Sequence, residues 1–227
     1  MMLLGFATAI ALAASPPAPE KQSDFDPQAA MVNRADRLVA DGKLEEATPI
    51  LDAALAAYQI QFGSESRAIY CSASTEETLL NMMMAATAKK SAIAIGPGWC
   101  SALFLRGYIL DDGHHFSEAA ALLERATAMA PHHAHYLNEL GFAYQQQHNW
   151  PASDATYRRA DESAEYDAAS MKVERGRAWR GLGYNLVEEG KLDEAEAMYR
   201  KCLELDPDDA KSQGELRWIG EQRKRHT

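Results

Sequence analysis

Three glycines, Gly107, Gly141 and Gly183, each sit inside the same pattern of side chains. With Gly183 as origin, Trp179 and Leu182 precede it, and Leu186, Gly190, Ala195, Tyr199, Cys202 and Pro207 follow. Gly141 has the same offsets in Leu137, Leu140, Tyr144, His148, Ser153, Tyr157 and Ala160, with Glu165 where proline stood. Gly107 repeats them through Leu103, Leu110, His114, Ala119, Leu123, Ala126 and Pro131. The first two glycines are 34 residues apart and the last two 42 apart, one period plus eight. Self-similarity at such a period marks an array whose units bury their apolar faces against their neighbours.

Two earlier stretches fit less closely. Ala35, Leu38, Gly42, Ala47, Leu51 and Ala54 keep the register, and DGKLEEA from Asp41 is close to EGKLDEA from Glu189. Between them and Cys100, Ala73, Ala85, Ala92 and Pro97 also fall on the grid, but Leu80 replaces the helix-breaking glycine. The stretch TEETLLNMMMAATAKKSAIAI is therefore open to two readings, a degenerate hairpin or one longer helix. Each unit reads as two antiparallel helices. Glycine or alanine lets the pair approach closely, and bulky Leu, Tyr or Trp fills the adjoining space. A midpoint glycine ends the first helix and a proline stops the second.

These residues resemble the tetratricopeptide repeat family, whose 34-residue unit begins W-x2-L-G-x2-Y, continues with an alanine pair and closes on proline. The resemblance covers residues 28–61, 66–99 as the degenerate copy, 100–133, 134–167 and 176–209. It implies an all-α solenoid of stacked antiparallel helix pairs. Arg34 and Arg106 stand where Leu is usual, Ser153 where Ala is, and Glu165 where Pro is. Residues 168–175 contain good helix formers and no breaker, and are expected to lengthen the first helix of the last unit. Residues 210–227 read as a capping helix, with Leu216 and Ile219 toward the array and Trp218 at its edge.

The ends differ in composition from the array. Met1–Ala14 carries no charge, is too short to cross a bilayer, and has the length of a signal-peptide apolar core. Ala11-Leu12-Ala13 supplies a small-x-small site, so cleavage after Ala13 or Ala14 and export, to the periplasm in a bacterial cell, are expected, although no Lys or Arg precedes the core. Residues 15–27 read as a Pro-rich linker. Asp and Glu number 33 against 23 Lys and Arg, a net charge of −10 that argues against binding a phosphate backbone. The excess is uneven: the cap carries +3 and the rest −13. The basic last turn of the cap complements its helix dipole.

No GxSxG, phosphate loop, HExxH or CxxC occurs, so neither a catalytic residue nor a cofactor is assigned. His132, His133 and His135 lie in one turn, and His114, His115 and His148 lie in turns on the opposite edge. Three imidazoles on one edge could take a transition metal, but no carboxylate or cysteine completes a spaced ligand set. Solvated turn histidines are the expectation, and no metal is assigned. Cys202 takes an alanine place and should be a buried thiol. Cys71 and Cys100 flank the degenerate copy, where a bond would clamp a segment lacking its turn; three cysteines leave one over, so the sequence does not decide the pairing.

What is left for function is surface. Positions i, i+3 and i+7 share one helix face, and the family resemblance implies that this face of each first helix lines a concave groove. Projection gives Phe104, Tyr108 and Asp111 from one unit, Asn138, Phe142 and Gln145 from the next, and Arg177, Arg180 and Tyr184 from the last. Aromatics offer contact area, Asn138 and Gln145 could bond a peptide backbone, and the arginines could meet a carboxylate. Family members that clamp a terminal carboxylate use Asn where Phe142 and Tyr184 stand, so that clamp is not carried over. The expected function is a non-enzymatic protein–protein interaction module that binds a peptide or helix in the groove, as an envelope or periplasmic scaffold or assembly factor. The alternative is a structural subunit that oligomerises through repeat edges or the cap.

Overall fold

The computed structural model describes residues 26–225. The leader, nearly all of the linker and the last two residues of the cap lie outside the described residues. Helices α1 (Pro27–Ala40) and α2 (Leu44–Phe62) form the first pair. After an insert come three more pairs, α4 (Gly98–Asp112) with α5 (Phe116–Met129), α6 (Ala134–Gln146) with α7 (Trp150–Ser163), and α8 (Met171–Glu188) with α9 (Leu192–Leu205). Helix α10 (Ala210–Arg225) covers the end of the stack. The result is an all-α solenoid interrupted once.

The glycine at each crossing is held by a bulky residue sixteen positions on. A Cβ at Gly141 would come within 2.8 Å of the Tyr157 ring, one at Gly183 within 2.8 Å of Tyr199, and one at Gly107 within 2.9 Å of Leu123. The first pair uses Ala35 and Leu51 at these places, both fully buried. The turn between paired helices needs a positive φ, which Gly42 and Gly190 adopt at 75°. His114 and His148 take the same left-handed place at 61° and 56°, a conformation that costs non-glycine residues.

Residues 66–99 correct the sequence reading. They form neither a helix hairpin nor one long helix but a strand–helix–strand crossover: strand β1 (Ala68–Cys71), helix α3 (Thr75–Thr87) and strand β2 (Ala92–Ile95). The strands pair in parallel, with Ala68 opposite Ala92 and Cys71 opposite Ile95. Helix α3 does run through Leu80, as the missing glycine implied, but Lys89 ends it at φ 53° and the alternating AIAI that follows extends as strand. Ser74 caps α3, and the buried Asn81 ties it back to Cys71 O and Ser72 Oγ. Cys71 and Cys100 are bonded, with their Cα atoms 6.2 Å apart, which fixes the insert to the first turn of α4.

The stack closes across this insert. Helix α2 packs on α4 as if the two were consecutive: Tyr58, Phe62 and Trp99 form a ring stack, and Arg106 donates to Asp52 at 2.8 Å. Arg106, a departure from the family pattern, is thus an inter-repeat tie. Ser153 is another, since its buried hydroxyl donates to Gly141 O and accepts from Asn185 Nδ2. Glu165, in the place of proline, pairs with Arg175 at 3.0 Å, and Arg34 is exposed on the open first helix. Residues 164–166 make a 3₁₀ turn, so only the last five residues of 168–175 lengthen α8. On the cap, Ile219 is buried and Arg223 binds Asp193 and Glu196 of α9, so part of its basic charge is spent on docking.

Two consequences can be measured. Replacing Cys71 and Cys100 by serine should lower stability to urea by about 3 kcal/mol, the chain-entropy cost of a loop of this size, and open residues 64–97 to protease; unchanged digestion would refute the clamp. Gly183→Ala should cost about 1–3 kcal/mol in the same assay, because the Tyr199 ring must shift to admit one carbon.

Candidate functional site

A cavity of about 440 Å³ opens where α6, α8 and α10 meet. Asn138, Glu139, Phe142 and Gln145 line it from α6, and Arg177, Arg180, Gly181 and Tyr184 from α8. Tyr157 and Tyr199 enter from the second helices, and Lys211 and Glu215 from the cap. Six of the nine groove residues expected from the sequence therefore meet at one place. Phe104, Tyr108 and Asp111 of α4 do not: Phe104 stacks on Tyr136 at 4.8 Å, Tyr108 is exposed elsewhere, and Asp111 is buried.

The polar lining differs from the expectation in one respect. Gln145 does not present a free amide, because its Nε2 donates to Gly181 O at 3.1 Å and to Asn185 Oδ1 at 2.6 Å. Asn138 Nδ2 is spent likewise, on Glu174 O and Glu174 Oε2. What Asn138 keeps is Oδ1, a buried acceptor without a hydrogen-bond partner. Both arginines carry carboxylate partners: Arg177 Nη1 donates to Glu139 at 3.1 Å and Arg180 Nη1 to Asp209 at 2.9 Å. Burial pushes the Glu174 carboxyl up, but hydrogen bonds from His135 and Asn138 outweigh it and hold Glu174 below the usual carboxylate range. Asp209 is held low in the same way, by Ser212 and Arg180 against its burial. The site thus offers guanidinium donors, an ammonium and the aromatic rings of Phe142 and Tyr184, which are 37% and 41% exposed, while the Asn138 acceptor is sealed behind them.

Asp111 shows what happens when this chemistry is mismatched. It stands four residues after Gly107, as Gln145 stands four after Gly141. Gln145 can donate to the carbonyl of the next first helix; a carboxylate has no hydrogen to give. Asp111 is 5% exposed and neither of its oxygens has a partner. Burial, with the neighbouring Glu139 charge, pushes its carboxyl up to about 7.

The histidines are packed more than expected. His132 Nε2 touches Met84 Sδ at 2.8 Å and its ring lies 4.5 Å from Tyr166. His133 stacks on Tyr136, and burial pulls it down to about 4. His135 faces Glu174 and Arg177. Among the described residues no group of three His, Cys, Asp or Glu side chains is placed to hold a metal ion.

A second cavity, of about 900 Å³, lies at the other end, where α1 and α2 face the loops after β1 and β2. There the Asp26 carboxylate already caps α1 and accepts from Tyr58 Oη at 2.7 Å, and Ser74 caps α3.

Sequence reasoning missed Tyr157, Tyr199, Lys211, Glu215 and Glu139. The two tyrosines were legible only as the bulky partners of the glycine crossings, and the cap residues had no place on the repeat grid.

Stacked helix pairs with a lined groove along their first helices define a helical-repeat solenoid. Two family models, both described as tetratricopeptide repeat, match residues 104–170 and 176–209. Residues 104–170 and 176–209 are tetratricopeptide repeats. No curated protein matches it. The structure from a functional characterisation of Pseudomonas aeruginosa PilF is similar over 87% of this chain and 69% of that one, at TM-score 0.60 and 15% identity. MamA RS-1, in an ArsTM double mutant, is similar over 88% and 87% at TM-score 0.57 and 14% identity. MamA AMB-1 is similar over 88% and 84% at 0.53 and 16%. At these identities the likeness shows the fold alone. Among the described residues no helix is long and apolar enough to cross a membrane.

The mismatch at Asp111 sets a pH dependence. The folded state holds the proton more tightly than an unfolded Asp near 4, so this residue's contribution to stability declines as pH rises from about 4 through about 7. Asp111→Asn restores a donor and should raise stability at pH 8 by about 2 kcal/mol and little at pH 4; equal gains at both would refute a buried charge as the cause.

Proposed function

We propose that this protein is a non-enzymatic interaction module that holds an extended segment of a partner protein in the cavity between α6, α8 and α10. The observation that carries this reading is the convergence of Arg177, Arg180 and Lys211 with the partly exposed rings of Phe142 and Tyr184 in one cavity. Apolar side chains suit Phe142 and Tyr184, and an acidic group suits Arg177, Arg180 and Lys211. The ionisable groups here serve inter-helix ties, Glu139 to Arg177, Asp209 to Arg180 and Glu174 to His135, which favours a binding role over a catalytic one. The acidic net charge favours protein over nucleic acid as partner.

Two features taken together support export to the periplasm, and with it a scaffold or assembly role there. One is the uncharged leader with its Ala11-Leu12-Ala13 site, and the other is the Cys71–Cys100 bond, which suits an oxidising compartment. A second reading, self-association through the cap, is favoured by Trp218, 42% exposed on α10.

Photo-crosslinking in intact cells separates them. A benzoylphenylalanine in place of Phe142 should capture a different protein, whereas one in place of Trp218 should not. Crosslinks to a second copy of this chain from position 218, with none from 142, would establish the second reading. Lys211→Ala should weaken the partner about tenfold without lowering stability, the effect of one lost charge-assisted contact.

A further inference from the structure

One nitrogen just behind the cavity lining, in contact with Arg177, is claimed by two incompatible neighbours. His135 Nδ1 lies 2.9 Å from Arg177 Nη1 and 3.1 Å from Glu174 Oε1. A ring nitrogen either bears a hydrogen and donates or keeps its lone pair and accepts. A guanidinium can only donate and an ionised carboxylate can only accept. Neutral His135 therefore satisfies one neighbour and opposes the other, whichever tautomer it takes.

Protonation settles the contest in one direction. An imidazolium has no lone pair at Nδ1, so it donates to Glu174 and repels Arg177. Glu174 is fixed in place, since its carboxylate and backbone oxygens both accept from Asn138. Arg177 is not fixed to the same degree: its side chain is 40% exposed, it lines the cavity, and its remaining tie is to Glu139. The charged groups around the ring are Glu174 and Arg177 from α8, Glu139 on its own helix through Arg177, and His133 in the turn before it, itself beside Asp167. Helix α4 presents the Phe104 ring, 4.9 Å away. Among the described residues Glu174 is the one anion in hydrogen-bond contact with the ring, and Arg177 the one cation, so the proton exchanges one contact for the other. Histidine changes charge within the range pH 5–8.

We propose that His135 is a proton-operated gate on Arg177, which turns toward the cavity when His135 is charged, so that the groove binds an acidic stretch of extended polypeptide more tightly as the pH falls. The choice of an acidic occupant rests on the reading of the groove given above and on its charge. Arg177, Arg180 and Lys211 line it against two carboxylates, Glu139 and Glu215, and no ion pair joins the Lys211 ammonium to a carboxylate among the described residues. A released Arg177 completes that set.

The gate is tested first without ligand, in the mature chain. On lowering the pH, the Arg177 Nε–Hε resonance should move together with the His135 ring signals. In Arg177→Ala the His135 ring signals should change over at higher pH than in the wild type, because a cation has been removed from beside the ring. Independent titrations in the wild type, or no shift in Arg177→Ala, overturn the gate. The ligand is tested by fluorescence anisotropy, with a labelled dodecapeptide of alternating Asp and Gly against its Asn counterpart. The Asp peptide should bind about five- to tenfold tighter at pH 5.5 than at 7.5, the effect of one charge-assisted hydrogen bond, and His135→Gln should reduce the ratio to below about twofold. The same ratio in His135→Gln, or an equal gain for the Asn peptide, overturns the proposal. Coupled titration with neither peptide bound at either pH would remove the acidic-peptide reading of the groove and leave the gate standing.

Discussion

The close crossing of paired helices at a residue without a side chain is the contact from which the rest of this structure follows. Gly107, Gly141 and Gly183 each receive the side chain sixteen residues later, and Ala35 receives Leu51 in the first pair. The wedge sets the spacing within a pair and, at Tyr157, also the spacing between pairs, because the Tyr157 ring fills the space beside Gly181 of the next unit as well as beside Gly141. The same ring and Tyr199 then reach the cavity lining. Packing that holds the array together is thus also the back wall of the site. Buried aromatic wedges are rigid anchors, and that rigidity keeps the neighbouring polar side chains in fixed positions.

Around these wedges, polar side chains tie consecutive first helices. Gln145, Asn185, Ser153 and the Gly141 carbonyl form one buried chain of hydrogen bonds between α6, α7 and α8. Every donor in it has an acceptor, and such a network specifies register where apolar packing would tolerate sliding. Asp111 occupies the equivalent place one unit earlier and cannot take part while ionised. The array is therefore polar-matched toward the cap and mismatched toward the insert.

The fold was legible where it repeats. The offsets from Gly107, Gly141 and Gly183 fixed the helix pairs because the same small and bulky residues must meet at every crossing. The insert was not legible, because Ala73, Ala85, Ala92 and Pro97 fall on the repeat grid by position while their neighbours obey a different period. Ile69, Tyr70, Ile93 and Ile95 are the β-forming residues that decide it, in runs of only four. Of the site, the first-helix residues followed from face periodicity. What that periodicity cannot contain is the partner of each side chain: Arg177 meets a carboxylate 38 residues away and Arg180 one 29 away. The arginines, read as meeting a partner's carboxylate, already meet carboxylates of this chain, and the Asn138 amide, read as bonding a peptide backbone, donates to Glu174.

An insert of some 35 residues can interrupt such an array because each unit contacts mainly its neighbours. Residues Phe62 and Trp99 come together in one ring stack at 5.7 Å, so the crossover leaves and rejoins the stack at nearly the same point. The Cys71–Cys100 bond then holds it locally, against α4. Nothing in the cavity at the other end draws on the insert. Its walls come from Tyr157, Tyr199 and the cap, and its charges from α6, α8 and α10. The two ends of the molecule are therefore separable in sequence as well as in space: changes in the insert alter the N-terminal cavity, and changes at His135, Arg177 or Lys211 alter the groove, with the wedged crossings between them as the common frame.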